Sequence, residues 1–181
     1  MREAEARGAG IYAEVLGYGL DCDAYHPVAP DEASVARCMR LALADAGVQP
    51  AEVDLISAHG TGTRANDLTE ARAIRSVYGD RPPRTISLKS MLGHTMGAAS
   101  ALGAIACSLA ITGGFIPPTI NHVTTDPECD IDCVPNVSVP ARLNVVQNNG
   151  LAFGGNNAVL ILGRYQPDGE PRGHQAVGRA S

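Results

Sequence analysis

Tryptophan is absent from the sequence, and aromatic residues make up only 4% of its 181 residues. A core without large rings has to be built from close backbone packing, for which 20 glycines and many alanines are suited. At 45% hydrophobic, the chain has enough apolar material for one domain or one large piece of one. No run of Lys or Arg offsets the net charge of −5, which argues against a nucleic-acid surface. No apolar run reaches the roughly 20 residues of a membrane span. The N-terminus lacks the charged and apolar regions of a signal peptide. These absences predict a soluble, cytoplasmic chain with no membrane partner. The cysteines, Cys22, Cys38, Cys107, Cys129 and Cys133, are odd in number and scattered, which is no disulfide framework. Cys129 and Cys133 lack the second pair or nearby histidine of a metal site, so reduced thiols and no metal are expected.

What is present reads as alternating helices and strands. Gly10–Leu20 is β-prone, and Gly17 and Gly19 suggest a bend or bulge. Asp31–Ala46 carries an apolar stripe at helical spacing through Val35, Cys38, Met39, Ala42 and Leu43. Asp31 or Ser34 fits its start and Gly47 its end. Val53–Ala58 has the continuous apolar run of a buried strand. A Gly/Thr loop over 59–64 and a second helix over 67–78 follow. Arg84–Leu88 is another short strand. Gly97–Thr112 is a helix with hardly a polar side, predicted to be buried all round and too short to span a membrane. Pro117–Pro140 is irregular, and strands over 143–151 and 157–162 flank the glycine-rich turn AFGGN. The alternation is that of an α/β layer fold. Gln166–Ser181 has the composition of a disordered tail, leaving 1–165 as the domain.

Two stretches carry the chemistry. In LISAHGTGT (55–63) and SLKSMLGHTMGAAS (87–100), His59 and His94 each lie beside a glycine, between an apolar strand and a helix. Neighbouring strand ends would bring these loops together. Two neutral imidazoles would then donate hydrogen bonds to one carbonyl oxygen, each donor worth about 3–4 kcal/mol to a developing oxyanion. A helix N-terminus just after His94 would favour its uncharged ring. Two structural histidines are the competing explanation. Lys89 is expected either to orient His94 or to pair with a carboxylate such as Glu70. Thr61 and Thr63 offer hydroxyls to an amide-bearing ligand or simply stabilise the turn. The Phe153–Gly154–Gly155 turn offers a backbone N–H to an oxyanion.

HGTGT (59–63), SLKSMLGHTMGAAS (87–100), PPTIN (117–121) and AFGGNN (152–157), with DAYH (23–26), resemble the C-terminal half of β-ketoacyl synthases, of the fatty-acid and type II polyketide kind. The resemblance runs from about Ala6 to Arg164. It implies half of a thiolase-like αβαβα sandwich, a mixed sheet with helices on both faces. It also implies a Cys–His–His site, in which an acyl chain is carried on cysteine. A malonyl-type extender on acyl carrier protein would lose CO2, and its enolate would attack the acyl group. By motif, His59 and His94 match the catalytic histidines, Lys89 the family lysine and Glu70 its acidic partner. Thr61 and Thr63 match the threonines that hold phosphopantetheine, the carrier's arm, no permanent cofactor being implied. Phe153, with Gly154 after it, matches the gatekeeper whose backbone N–H helps form the oxyanion hole.

The family's nucleophilic cysteine lies in the N-terminal half, and none of the five here has its strand-to-helix setting. Cys22 and Cys133 are expected in loops, Cys38 and Cys107 inside helices, and Cys129 in irregular chain. Since Met1 directly precedes family-like sequence, the resemblance implies the C-terminal subunit of a split ketosynthase. A partner chain would supply the cysteine half, and the pair would dimerise again. A chain-length-factor-like subunit and a degenerate, carrier-binding ketosynthase are the alternatives. Leu151, Ala152 and Asn156 depart from the family's usual residues and keep the last open.

Overall fold

The computed structural model describes residues 2–166. The expected tail therefore lies outside the described residues, save for Gln166. A short helix α1 (Arg2–Ala6) precedes β1 (Glu14–Cys22), and α2 (Glu32–Ala46) follows. Asp31 accepts a hydrogen bond from the Ser34 N–H and caps α2, and Gly47 ends it in the left-handed conformation, φ 63°. Next come β2 (Leu55–Ser57), α3 (Arg64–Tyr78), β3 (Arg84–Ile86) and a single helical turn, α4 (Lys89–Leu92). A 3-10 turn over Met96–Ala98 leads into α5 (Ala99–Gly113). After it come β4 (Phe115–Ile116), β5 (Val139–Pro140), β6 (Val145–Ala152) and β7 (Asn156–Gly163).

Five strands form one mixed sheet in the order β1-β7-β6-β2-β3. β6, β2 and β3 run parallel, and the β6–β7 hairpin and β1 complete the sheet antiparallel. Strand alternation divides the core into two layers. Ile56, Val145, Val159 and Ile161 pack with Val35, Met39, Ala42, Leu43 and Ile74 of α2 and α3. Leu55, Ile86, Val146 and Leu162 face the other way, onto Cys107, Ala110 and Ile111 of α5. Helices thus cover both faces, as the sequence predicts, and the irregular 117–140 segment clips to β3 and its exit through Thr119 and Asp132.

α5 is apolar all round, yet this chain buries it on one side alone. Only Gly103, Cys107, Ala110 and Ile111 are buried on it, while Ile105 and Leu109 are 55% and 48% exposed. Small residues let it press on β6, and a Cβ on Gly103 would stand 2.3 Å from the Asn148 side chain. Among the described residues, no element covers its far side. Tyr18 and Leu20 of β1 are exposed too, and they alternate with Gly17 and Gly19, which lie under α2. An apolar helix face and an apolar sheet edge are therefore open together. Counted with its 3-10 turn, Met96–Gly113 is 18 residues of mean hydropathy 1.6, enough by length and composition to cross a membrane. The expectation that length excludes a span is corrected accordingly; the distinguishing feature is the face already packed on the sheet.

Candidate active site

Three parallel strands deliver the site residues to one edge. Ser57 of β2 pairs with Ile86 of β3 and with Asn148 of β6, so the loops after β2 and β3 and the end of β6 emerge side by side. His59 follows β2, Lys89 opens α4 after β3, and His94 lies in the loop beyond. The rings of His59 and His94 are 5.6 Å apart between centroids and nearly perpendicular, 81°. The two motifs that looked like counterparts in the sequence do meet.

His59 is buried, 8% exposed. Its Nδ1 accepts the Leu151 N–H at 3.3 Å, and Lys89 Nζ lies 3.4 Å from the same nitrogen. With Nδ1 accepting, the proton of the neutral ring belongs on Nε2. Burial, then the Lys89 charge, then His94, push its pKa from 6.5 down to about 4, so the ring is neutral at physiological pH. His94 is built alike, its Nδ1 accepting the Met96 N–H at 3.1 Å. Met96 holds this position with φ at 50°, in the left-handed region. Both rings therefore carry Nε2–H donors, which can hydrogen-bond an acceptor oxygen.

The surrounding groups hold this geometry. Glu70 of α3 accepts the His59 N–H at 2.8 Å and the Gly60 N–H at 2.9 Å, and Asn66 and Asn149 donate to the same carboxylate. Gly60, φ 42°, brings the loop against Ser87, whose side chain would lie 2.7 Å from any added Cβ and whose hydroxyl donates to the Gly60 carbonyl. Lys89 Nζ donates to the His59 carbonyl. Its pKa is lowered by burial, against the attraction of Glu70 and Asp67. The expected Lys89 roles change here. No Lys89–Glu70 ion pair forms among the described residues, because the carboxylate is fully engaged by four N–H groups. The contacts of Lys89 Nζ are to His59, at its carbonyl and its Nδ1.

Thr61 and Thr63 share a hydrogen bond of 2.8 Å between their hydroxyls, and Thr63 also caps α3. Both readings of these threonines, ligand donor and turn stabiliser, have structural room. Phe153 is 67% exposed at the tip of the β6–β7 turn. The Gly154 N–H donates to the Pro27 carbonyl at 2.8 Å, so it has no hydrogen for an oxyanion, and Gly154 serves the turn instead. α5 begins at Ala99, one 3-10 turn later than the helix start expected just after His94.

Of the cysteines, the exposed Cys22 lies against the glycine turn, its Sγ donating to the Gly154 carbonyl at 3.7 Å. Burial raises the thiols of Cys38 to about 11 and Cys107 to about 12, and raises those of Cys129 and Cys133 as well. Such thiols are poor nucleophiles. Cys22 ends β1 instead of lying in a loop, and Cys129 closes a 3-10 turn. No cluster of three or more His, Cys, Asp or Glu suited to a metal is found among the described residues. Sequence reasoning missed Asn66, Asn149 and the Leu151 and Met96 amides. Gln147 and Asn149 were nevertheless visible as amides two apart in a strand expected to be buried, a signal of internal polar partners.

Residues 12–123 match the family model for the β-ketoacyl synthase C-terminal domain. The 3-oxoacyl-[acyl-carrier-protein] synthase 2 of Staphylococcus aureus (strain COL) is 42% identical over 170 residues, 92% of this chain and 41% of its own length. Among solved structures, the ishigamide ketosynthase/chain length factor is 67% identical with a TM-score of 0.91, over 92% of this chain and 41% of that one. A type II polyketide synthase ketosynthase, AntDE, solved with its acyl-carrier protein AntF and bound to the hexaketide, is 38% identical with a TM-score of 0.88, over 91% and 41%. The chain thus spans about two-fifths of the length of these relatives.

Proposed function

This chain belongs to the β-ketoacyl synthase family, as its C-terminal domain, and from that premise we propose that it supplies the two-histidine half of a decarboxylative condensing site. The single observation that carries the reading is the His59–His94 pair, both rings with Nδ1 accepting a backbone N–H and Nε2–H left to donate. A malonyl-type thioester on acyl carrier protein places its carbonyl oxygen between these donors. The bond to the carboxylate breaks, CO2 leaves, and the electron pair becomes an enolate that the two donors stabilise. The enolate carbon attacks an acyl thioester on cysteine, a carbon–carbon bond forms, and the cysteine thiolate departs. Thr61 and Thr63 hold the pantetheine amides, and Phe153 gates the entrance with its backbone N–H toward the acyl oxygen. Lys89 and Glu70 keep the His59 loop in place.

The cysteine belongs to an N-terminal half of the fold, on a separate subunit in the split-enzyme reading. The open faces of α5 and β1 support such a cover, since apolar area of this kind seeks a partner. The completed unit would dimerise into a cytoplasmic assembly. The likeness to a ketosynthase/chain length factor complex keeps a tunnel-shaping, non-catalytic subunit as the second reading. The test is expression with a cysteine-bearing N-terminal half, followed by acylation and condensation assays. The expected result is copurification, acylation of that cysteine, and condensation abolished by His94→Ala with acylation retained. Condensation unchanged in a His59→Ala, His94→Ala double variant would establish the tunnel-shaping reading instead.

A further inference from the structure

Beneath the histidine loop runs a chain of buried amides that catalysis does not touch. The Tyr78 hydroxyl, at the last residue of α3, donates to Gln147 Oε1 at 2.5 Å. Gln147 Nε2 donates to Asn149 Oδ1 at 2.8 Å, and Asn149 Nδ2 donates to Glu70 Oε1 at 2.9 Å. Glu70 in turn holds the His59 and Gly60 amides. Gln147 is 0% and Asn149 3% exposed, two residues apart on the face of β6 that meets α3.

We propose that Tyr78, Gln147 and Asn149 are positioning residues for His59, acting as a one-directional hydrogen-bond relay that ends on Glu70. Resting on the ketosynthase reading for its consequence, the relay follows from donor and acceptor chemistry. A carboxylate only accepts, so Asn149 must present its NH2 to Glu70. The Asn149 oxygen then faces Gln147, which must present its own NH2. This leaves Gln147 Oε1 needing a donor, and the Tyr78 hydroxyl is that donor. Every orientation fixes the next, and each buried link strengthens its neighbours. With phenylalanine at position 78, Gln147 Oε1 loses its donor and the side chain its anchor, so Asn149, still turned NH2-first by the carboxylate, loses its fixed support. The Glu70 carboxylate that holds the His59–Gly60 loop is then less firmly backed.

The test compares Tyr78→Phe, Asn149→Leu and the double variant in the assembly with a cysteine-bearing half. Malonyl-thioester decarboxylation, which uses the histidines, is measured beside acyl transfer to cysteine, which does not. Deuterium exchange is followed at the His59 and Gly60 amides. Tyr78→Phe is expected to slow decarboxylation roughly 3–10-fold, the loss of about one hydrogen bond. Acyl transfer stays unchanged, and exchange at the two amides is faster. In the Asn149→Leu background, Tyr78→Phe adds nothing further, because the relay is already cut. If Asn149→Leu does not assemble, Gln147→Met provides the cut. Equal slowing of both half-reactions, or a full Tyr78→Phe effect in the cut background, overturns the proposal. If the wild-type assembly decarboxylates nothing, the ketosynthase reading falls. The relay then stands on faster exchange in Tyr78→Phe and falls on unchanged exchange.

Discussion

The backbone N–H of Leu151 donates to Nδ1 of His59 across 3.3 Å, and that bond decides which nitrogen of the ring carries the proton. It links the end of β6 to the loop after β2, two segments far apart in the chain. Protonating His59 at Nδ1 would set two N–H groups face to face and add a charge beside Lys89. The structure therefore resists the charged ring, with consequences that can be measured.

Stability of the assembly is expected to fall in mild acid through His59. Unfolded, the histidine takes its proton near 6.5; folded, burial, Lys89 and His94 delay this to about 4. As pH drops through that window the unfolded state binds a proton that the folded state refuses, so stability is lost, by of order 3 kcal/mol from this group. Above the window the contribution is complete, and below it no more is lost. Thermal melts of wild type and His59→Gln across pH 4 to 7 check this, and parallel curves would refute it.

Replacing Lys89 with methionine should raise the His59 pKa, because a positive charge beside the ring is removed while burial is kept. Titration of the ring by NMR reads the shift directly. A downward shift or none would show that Lys89 does not act on this ring electrostatically.

The two threonines should separate by experiment. Thr63→Val removes the N-cap of α3 and is expected to cost about 1 kcal/mol as well as weakening carrier-protein use. Thr61→Val caps no helix and should raise KM for the carrier-bound substrate with the melting temperature unchanged. Equal stability losses in both variants would argue that they serve the turn alone.

Charged substitutions on the open face of α5 test the cover. Ile105→Glu and Leu109→Glu replace side chains that are about half exposed, so the change in solvation falls on the partner and not on this chain's own core. Copurification with a cysteine-bearing half should be lost while the helical content of this chain is kept, as measured by circular dichroism. Retained copurification in the double variant would place the interface elsewhere.

Helix and strand order was legible in the residues because periodicity and end signals are local. Asp31 and Gly47 do cap and close α2, and the glycine turn does join a hairpin. Boundaries shifted where neighbours decide them: β1 runs to Cys22 because it pairs along the whole of β7. The apolar composition of α5 reports what a helix can be buried in, while the structure reports how much of that cover this chain supplies.

By itself, the sequence determined the α/β alternation, the family motifs and the placing of two histidines each beside a glycine after an apolar strand, all properties of short windows or of their order. Only the tertiary structure decided that Glu70 grips backbone amides and Asn149 instead of Lys89. It alone showed that both rings present Nε2–H, and that Gln147 and Asn149 form a wire to the site. The reason is physical: a tautomer and a buried polar contact depend on which distant donor arrives at a given atom, and three parallel strands set that arrival.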